Sequence, residues 1–432
     1  MRLSTNHFLL IVIAFLLALF LIFIISGPDH NELAPIPQSQ NNASIDTGPK
    51  KPLIFDRKNI LLTSTSTTKG TTLLLNEMES KLSDVEEMHL TIDSELQDYV
   101  YGALENVALS KGYAGGAGIV MDIQTGELLV LTSYSQDNSS LNRATNGLFI
   151  PGSIIKPFIA IAALNEGLID PNKEILSTGS ITLTDKNGKK LLFNDWKAHG
   201  YVNMREAIGV SSNVYFYSIG GGYEDQPGLG IEKIVEYLQM FGVGEITGLN
   251  IISESKGQLP TPAWKEAEFN GDKWRLADTY LASIGQHGYE VTPLQMTRAV
   301  GAIASEGQLI VPRIDRDAKT EVGVSKTTIP IKDDYLRVVK EGMEYAVING
   351  TASGLYMNGI TLAAKTGTAE ADINKEHIHS WLTGYFPYDK PRYAFTFMLD
   401  HGPWGEETGA VAVAHNIFEW IRDERPEYIS TF

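Results

Sequence analysis

A serine with a lysine three residues on, Ser153-Ile154-Ile155-Lys156, follows directly on Pro151-Gly152 and opens an apolar run; Ser211-Ser212-Asn213 and Lys365-Thr366-Gly367-Thr368 come after it in that order. These three short segments constrain the fold because they are chemically useful only together. They provide a serine to attack, a lysine one helical turn away to take its proton, a second hydroxyl to pass protons on, and a cationic strand to hold a carboxylate. Serine–lysine pairs are one known form of the activated nucleophile. Each pattern alone is common: Ser-x-x-Lys recurs at Ser66–Lys69 and Ser253–Lys256, and Ser-x-Asn at Ser39–Asn41 and Ser140–Asn142. Order and context separate the set from ordinary caps and surface residues. Only the Ser153 copy has a Pro-Gly turn before it and a long apolar run behind it.

If Ser153 begins a helix, its N–H lies among the unpaired donors of a first turn, where an oxyanion at the attacked carbonyl would need one. Lys156, three residues on, falls on the same face. To accept a proton at neutral pH its pKa must fall from about 10.4 by about three units, a change worth about 4 kcal/mol. Desolvation by Ile154, Ile155 and Phe158 and the charge of Lys365 are the expected causes. Ser211 can shuttle a proton and the Asn213 amide can grip a peptide backbone; helix capping is the plainer use of the same residues. At Lys365-Thr366-Gly367-Thr368, Gly367 lets another backbone approach the strand. Lys365 and the hydroxyls of Thr366 and Thr368 can bind a terminal carboxylate, and the Thr368 N–H can complete the oxyanion hole begun by Ser153. Glu376-His377-Ile378-His379 lacks a third ligand at any metal-site spacing and reads as loop, so neither metal nor cofactor is called for. The Trp404-Gly405-Glu406-Glu407 loop and His401 either rim a cleft or are simply exposed.

Phe8 to Ile25 is an unbroken apolar run of 18 residues, just long enough to span a bilayer. A cleaved leader would have a shorter core and a small-residue site, which Ile24-Ile25-Ser26-Gly27 does not offer. Arg2 before the run, with Asp29 and Glu32 after it, places the short N-terminus in the cytoplasm and the rest outside. The absence of cysteine suits folding in an oxidising extracytoplasmic space. The net charge of −17 excludes nucleic acid as a partner.

Residues 27 to about 51 read as a solvated linker. Leu53–Phe55 is a short strand, and the acidic stretch up to Met88 is expected to be helical. The globular body begins at Leu90. Apolar spacing predicts a helix over Glu95–Ser110 capped by Asp93 or Ser94, then a hairpin of Gly118–Met121 and Glu127–Leu131. Helices follow at Phe158–Leu164 (ending near Gly167), Met204–Ile219, Ile231–Phe241 and Thr292–Glu306. Strands are expected through Lys365 and at Ser380–Phe386 and Arg392–Leu399, with a closing helix at Gly409–Arg422. The pattern implies an α+β fold, an antiparallel sheet covered by helices.

At this point the residues resemble the class B penicillin-binding proteins, the membrane-anchored D,D-transpeptidases of cell-wall synthesis. The likeness extends over about residues 90–425. Asn142–Phe158, Ser283–Met296, Asn349–Gly354, Ala363–Glu370 and Ser380–Phe395 are similar to that family's usual text, and Asp195–Tyr217 and Thr247–Trp264 resemble the elongation-type branch, penicillin-binding protein 2. The resemblance implies a penicillin-recognising, β-lactamase-like fold behind one transmembrane helix: a cytoplasmic tail at 1–7, an anchor at 8–26, a linker and reduced pedestal at 27–89, and a transpeptidase domain at 90–432. It also implies a bacterial inner membrane location with the catalytic domain outside. Ser153 would be acylated by a D-Ala-D-Ala stem peptide with Lys156 as base and Ser211 and Asn213 flanking. Lys365, Thr366, Gly367 and Thr368 would form the substrate strand, and β-lactams would trap Ser153 as an ester. A separate membrane glycosyltransferase would supply the glycan. Two departures stand out. Only about 30 residues separate the strand at Leu53–Phe55 from Leu90, so the usually large pedestal is nearly absent. Gln286-His287 also replaces part of the usual Gly-Gln-Gly.

A β-lactamase is the nearest rival, but no carboxylate is placed to drive deacylation, and the interval from Ser211 to Lys365 exceeds what class D enzymes allow. A D,D-carboxypeptidase would differ only in its acceptor. A β-lactam sensor should carry more membrane spans and a cytoplasmic effector, and an inert scaffold would not keep all three motifs.

Overall fold

The computed structural model describes residues 52–62, 69–79, 81–82, 85–184, 187–317, 325–372 and 374–430; the apolar run Phe8–Ile25 lies outside them. Among the described residues no helix is long and apolar enough to cross a membrane. The first elements form a small sheet in which Leu53–Phe55 (β1) pairs antiparallel with Leu61–Leu62 (β2) and parallel with Glu87–His89 (β3). The helix expected in the acidic stretch is short: α1 covers Lys69–Glu79. Glu87–His89 is a strand instead, because Met88 alone is buried between an exposed and a half-buried neighbour, a period of two. Glu77 on α1 accepts the Ser253 N–H at 2.6 Å and so ties this small unit to the body.

Helix α2 (Ser94–Lys111) starts at Asp93, whose carboxylate accepts the Leu96 N–H, and stops at Gly112 in the left-handed conformation. Its apolar stripe packs on the hairpin β4 (Gly115–Asp122) and β5 (Leu128–Ser135). Next come the nucleophile helix α3 (Lys156–Asn165), the ribbons formed by β6 (Ile175–Ser177) with β9 (Gly200–Val202) and by β7 (Ser180–Thr184) with β8 (Lys190–Asn194), and a run of helices. The single helix expected over Met204–Ile219 is two, α4 (Met204–Gly209) and α5 (Asn213–Gly221). Ser211 breaks them with φ +58, a conformation that cannot continue a helix. Helices α6 (Ile231–Met240), α7 (Pro262–Glu268), α8 (Leu276–Ala282) and α9 (Pro293–Ala304) follow, then strands β10 (Gln308–Ile310) and β11 (Lys326–Thr328) and helix α10 (Asp333–Asn349).

The chain then returns to the main sheet with β12 (Ala363–Glu370), β13 (His377–Phe386) and β14 (Tyr393–Pro403), and closes with α11 (Gly409–Glu424). The sheet order is β12-β13-β14-β4-β5, every neighbour antiparallel, which bears out the expected α+β arrangement. His377 and His379, read as loop, open β13; His379 pairs with Ala369 on β12 and His377 with Pro403 on β14, which draws them into the sheet. α2 and α11 cover one face, with Phe395, Phe397 and Phe418 buried between. α9 covers the other, where Gly301 lies against Met121 and Ala394. β12 is an edge strand, and its free side faces the nucleophile turn.

A buried ion pair fastens the far end of β14. Arg143 Nε donates to Asp400 Oδ2 at 2.6 Å, with both side chains under a tenth exposed. Removing one partner of such a pair leaves the other charged in an apolar setting. Arg143→Met is expected to lower the free energy of unfolding in urea by about 3–5 kcal/mol; a loss below about 1 kcal/mol would show that the pair does not hold the strand.

Candidate active site

Ser153 is the second residue of a 3-10 turn, Gly152–Ile155, that runs directly into α3. Gly152 has φ +58, and a Cβ there would lie 2.5 Å from the Thr368 carbonyl oxygen. Nucleophile turn and edge strand therefore touch backbone to backbone, which only glycine allows. Gly367 lies against Pro151 and Ile154 on the same seam. A second clamp comes from the loop after α8, where the Gly285 carbonyl accepts the Gly152 N–H at 3.0 Å. A Cβ on Gly285, whose φ is +78, would fall 1.9 Å from the Gly152 oxygen.

Lys156 is fully buried, and its ammonium donates to Ser211 O at 2.7 Å, Asn213 Oδ1 at 2.7 Å and Ser211 Oγ at 3.2 Å. Burial pushes its pKa down to about 7, against the opposing pull of the Asp195 carboxylate. Lys365, also expected to help lower it, interacts with it charge to charge. Lys365 is itself fully buried, donates to the Thr366 carbonyl at 2.9 Å, and is held well below its ordinary value by burial and by the Lys156 charge. Two ammonium groups in one dry pocket oppose each other's charge.

The second motif is built around a carboxylate that sequence reasoning did not single out. Asp195 Oδ2 accepts from the Ser212 hydroxyl at 2.9 Å, the Ser177 hydroxyl at 3.2 Å and the Val214 N–H at 3.0 Å, at the N-terminus of α5. A carboxylate there satisfies orphan donors and complements the helix dipole. Ser212 caps α5 through the Tyr215 N–H, while Ser211, held left-handed just before it, turns toward Lys156. Asn213 is engaged at both ends, Oδ1 by Lys156 and Nδ2 by the Asn194 carbonyl at 3.2 Å, which leaves one amide hydrogen for a ligand.

On the third motif, the Thr366 hydroxyl donates to Thr351 Oγ1 at 2.6 Å, and the Thr351 N–H bonds the Gly209 carbonyl at the end of α4. Thr351 thus joins the substrate strand to the segment carrying Ser211. Thr366 and Thr368 line the cleft, whereas Lys365 and Gly367 lie behind them. Two cavities, of about 760 and 680 Å3, meet at Ser153, Asn213, Thr368 and Glu407. The larger is walled by Phe193, Tyr217, Leu281 and Ile284, with Glu370, Asp372 and Lys375 at its mouth and Trp404 on the rim. The smaller runs past Trp196 and Thr351 to His415 on α11. The Trp404 loop accordingly borders the cleft. The one available sequence signal for Asp195, a Trp beside an acid before a polar pair, carried no spacing that pointed to Ser212.

Residues 116–421 match the family model described as penicillin binding protein transpeptidase domain. The peptidoglycan D,D-transpeptidase MrdA of Escherichia coli K12 is 29% identical over 373 residues, covering 75% of this chain and 56% of that protein. The chain thus spans a little over half the length of the curated relatives it matches. A Helicobacter pylori structure of penicillin-binding protein PBP2 in complex with MreC superposes with TM-score 0.64 at 32% identity, over 77% of this chain and 64% of that one. PBP2 of Pseudomonas aeruginosa, crystallised with WCK 5153, shares the fold with TM-score 0.70 at 23% identity, over 87% of this chain and 97% of that one.

Because Gly285 combines a left-handed backbone with direct contact to the Gly152 carbonyl, Gly285→Ala should destabilise the fold by at least about 2 kcal/mol. Chemical denaturation measures this, and a neutral result would mean that the loop and the Ser153 turn are not clamped together.

Proposed function

Since the chain belongs to the penicillin-binding protein transpeptidase family, we propose that it is a membrane-anchored peptidoglycan D,D-transpeptidase of the PBP2 type, acylated at Ser153 by D-Ala-D-Ala stem peptides and by β-lactams. The observation that carries this reading is the buried Lys156 amine, about half neutral near pH 7, one turn from Ser153 and in hydrogen-bond contact with Ser211. Neutral Lys156 takes the Ser153 hydroxyl proton as Oγ attacks the carbonyl carbon of the penultimate D-Ala. The oxyanion forms between the N–H groups of Ser153 and Thr368. The C–N bond then breaks, Lys156 returns the proton through Ser211 to the departing D-Ala amine, and an ester remains on Ser153. With a β-lactam the same bond breaks, but the amine stays tethered and the ester persists.

The peptide lies as an added strand along β12, between Thr366 and Glu370. Thr366, Thr368 and Asn213 hold its backbone and terminal carboxylate. Lys365, behind them, acts as a buried support for the strand rather than as a direct ligand. Residues 8–26 anchor the enzyme in the bacterial inner membrane with the domain from residue 90 outside, and the small sheet of β1, β2 and β3 with α1 is what remains of a pedestal within 27–89. A separate membrane glycosyltransferase is the partner that makes the glycan. An elongation scaffold is a further candidate partner, a reading supported by the MreC complex of the H. pylori protein.

Incubating the full chain with fluorescent penicillin should give a long-lived adduct on Ser153 that Ser153→Ala abolishes. Because the base is the neutral lysine, the acylation rate should climb about tenfold per pH unit below 7 and level off above it. Asp195 favours the charged lysine, so Asp195→Asn should move this midpoint to lower pH. An acylation rate flat between pH 5 and 8 would remove Lys156 from the mechanism, and an adduct surviving in Ser153→Ala would remove Ser153.

A further inference from the structure

His287 stands in the loop that clamps the nucleophile turn, two residues after Gly285, with φ +66. A non-glycine residue there is strained, and such strain persists where the surroundings fix it. The surroundings here are specific. Three aromatic rings box the imidazole, Trp264 at 5.2 Å, Trp274 at 5.8 Å and Phe269 at 6.0 Å between centroids. Its buried Nε2 faces Asp278 Oδ1 at 3.3 Å, a charge contact rather than a hydrogen bond. The other oxygen of Asp278 accepts from buried Lys265 at 2.5 Å and from the Arg275 N–H at 2.7 Å, so the carboxylate cannot turn away. The ring itself lines the larger cavity together with Ser153, Gln286 and Thr368. An imidazole that faces a fixed carboxylate on one side and a reaction cleft on the other is placed as a general base is.

The transpeptidase reading leaves a proton to place. An acceptor amine reaches the cleft as an ammonium ion and must be neutral to attack. Lys156 cannot meet it, being fully buried with its hydrogens directed to Ser211 and Asn213. The His287 side chain is 20% exposed on that cavity. We propose that His287, oriented by Asp278, is the catalytic base that deprotonates the incoming acceptor ammonium in the second half-reaction. One ammonium proton passes to the imidazole and then to water. The freed lone pair forms the C–N bond at the Ser153 ester carbonyl, and the ester C–Oγ bond breaks. The second nitrogen proton travels through Ser211 and Lys156 to Ser153 Oγ, regenerating the serine. Burial holds His287 below its ordinary value despite Asp278, so the ring is in its accepting form at neutral pH. Besides Asp278, the charged groups that face it are Lys265 on α7 and, across the cavity, Glu370, Asp372, Lys375 and Glu407.

This assignment rests on the transpeptidase reading, and its test separates the two. The full chain is given a peptide ending in D-Ala-D-Ala with Nα-acetyl-lysine as amine, and amide product is measured against hydrolysed product from pH 6 to 10. Acylation by fluorescent penicillin is followed in parallel; its absence in the wild type would reject the transpeptidase reading itself, and this assignment with it. His287→Asn and His287→Gly both tolerate the backbone conformation, so the loop keeps its path. In both, amide formation relative to acylation should fall about 100-fold at pH 7. It should then rise about tenfold per pH unit toward the amine's own pKa near 10.4, where wild type is much flatter. An unchanged product ratio and pH profile, or an equal loss in acylation and amide formation, would overturn the assignment.

Discussion

Taking the Lys156 amine out of water is the interaction on which the rest of the site depends. Full burial disfavours the ammonium, and three acceptors from Ser211 and Asn213 together with the nearby Asp195 charge restore part of what is lost. The balance leaves a base poised near neutrality. Much of the local architecture maintains that balance. Ser211 adopts a strained left-handed backbone so that both its carbonyl and its hydroxyl face the lysine. α5 must then begin afresh at Asn213, and Asp195 and Ser212 supply acceptors for the N–H groups of Val214 and Tyr215 in its first turn.

The three motifs sit on different supports: a helix start, a break between helices and a sheet edge. They keep register through backbone contacts that leave no room for adjustment. Gly152 meets the Thr368 carbonyl on one side and the Gly285 loop on the other, so the position of Ser153 is set by the sheet and by the loop after α8 together. Thr351 closes the circuit by bonding Thr366 and the end of α4. A displacement of any one segment is therefore transmitted to the other two. Asn349–Gly354, through Thr351, and the loop at Gly285 thus belong to the same mechanical unit as the motifs.

What could be read in the sequence follows the range of the physics involved. The Ser153–Lys156 pair, the β4–β5 hairpin and the helices at Ser94–Lys111 and Gly409–Glu424 are governed by contacts a few residues apart, and their periodicity shows. Asp195 was invisible because its partners Ser177, Ser212 and Val214 are set beside it by tertiary packing. The break at Ser211 was equally hidden, since serine in a left-handed conformation carries no glycine signal. Glu87–His89 looked helical from its charges and became a strand only because β1 lies alongside. Helix α10, by contrast, carries an ordinary local signal, with Leu336, Val339, Met343 and Val347 buried at helical spacing. That Lys365 is as deeply buried as Lys156 is a tertiary fact that composition does not reveal.

The burial that makes Lys156 a base for serine also prevents it from meeting a charged amine. Ser153 delivers its proton over one helical turn without exposing the lysine, whereas an acceptor comes from solvent carrying a positive charge. Moving that charge into the Lys156 pocket would oppose the desolvation that set the lysine's pKa, so the two half-reactions place conflicting demands on one amine. A cleft that serves both must separate them in space. The geometry does so: a dry pocket behind Ser153 holds the lysine, and a wider, rim-charged cavity in front of it is lined by His287, which Asp278 backs from the protein side. Choice between water and amine as the final acceptor would then be made in the outer cavity, whose walls can vary without disturbing the base that activates the serine.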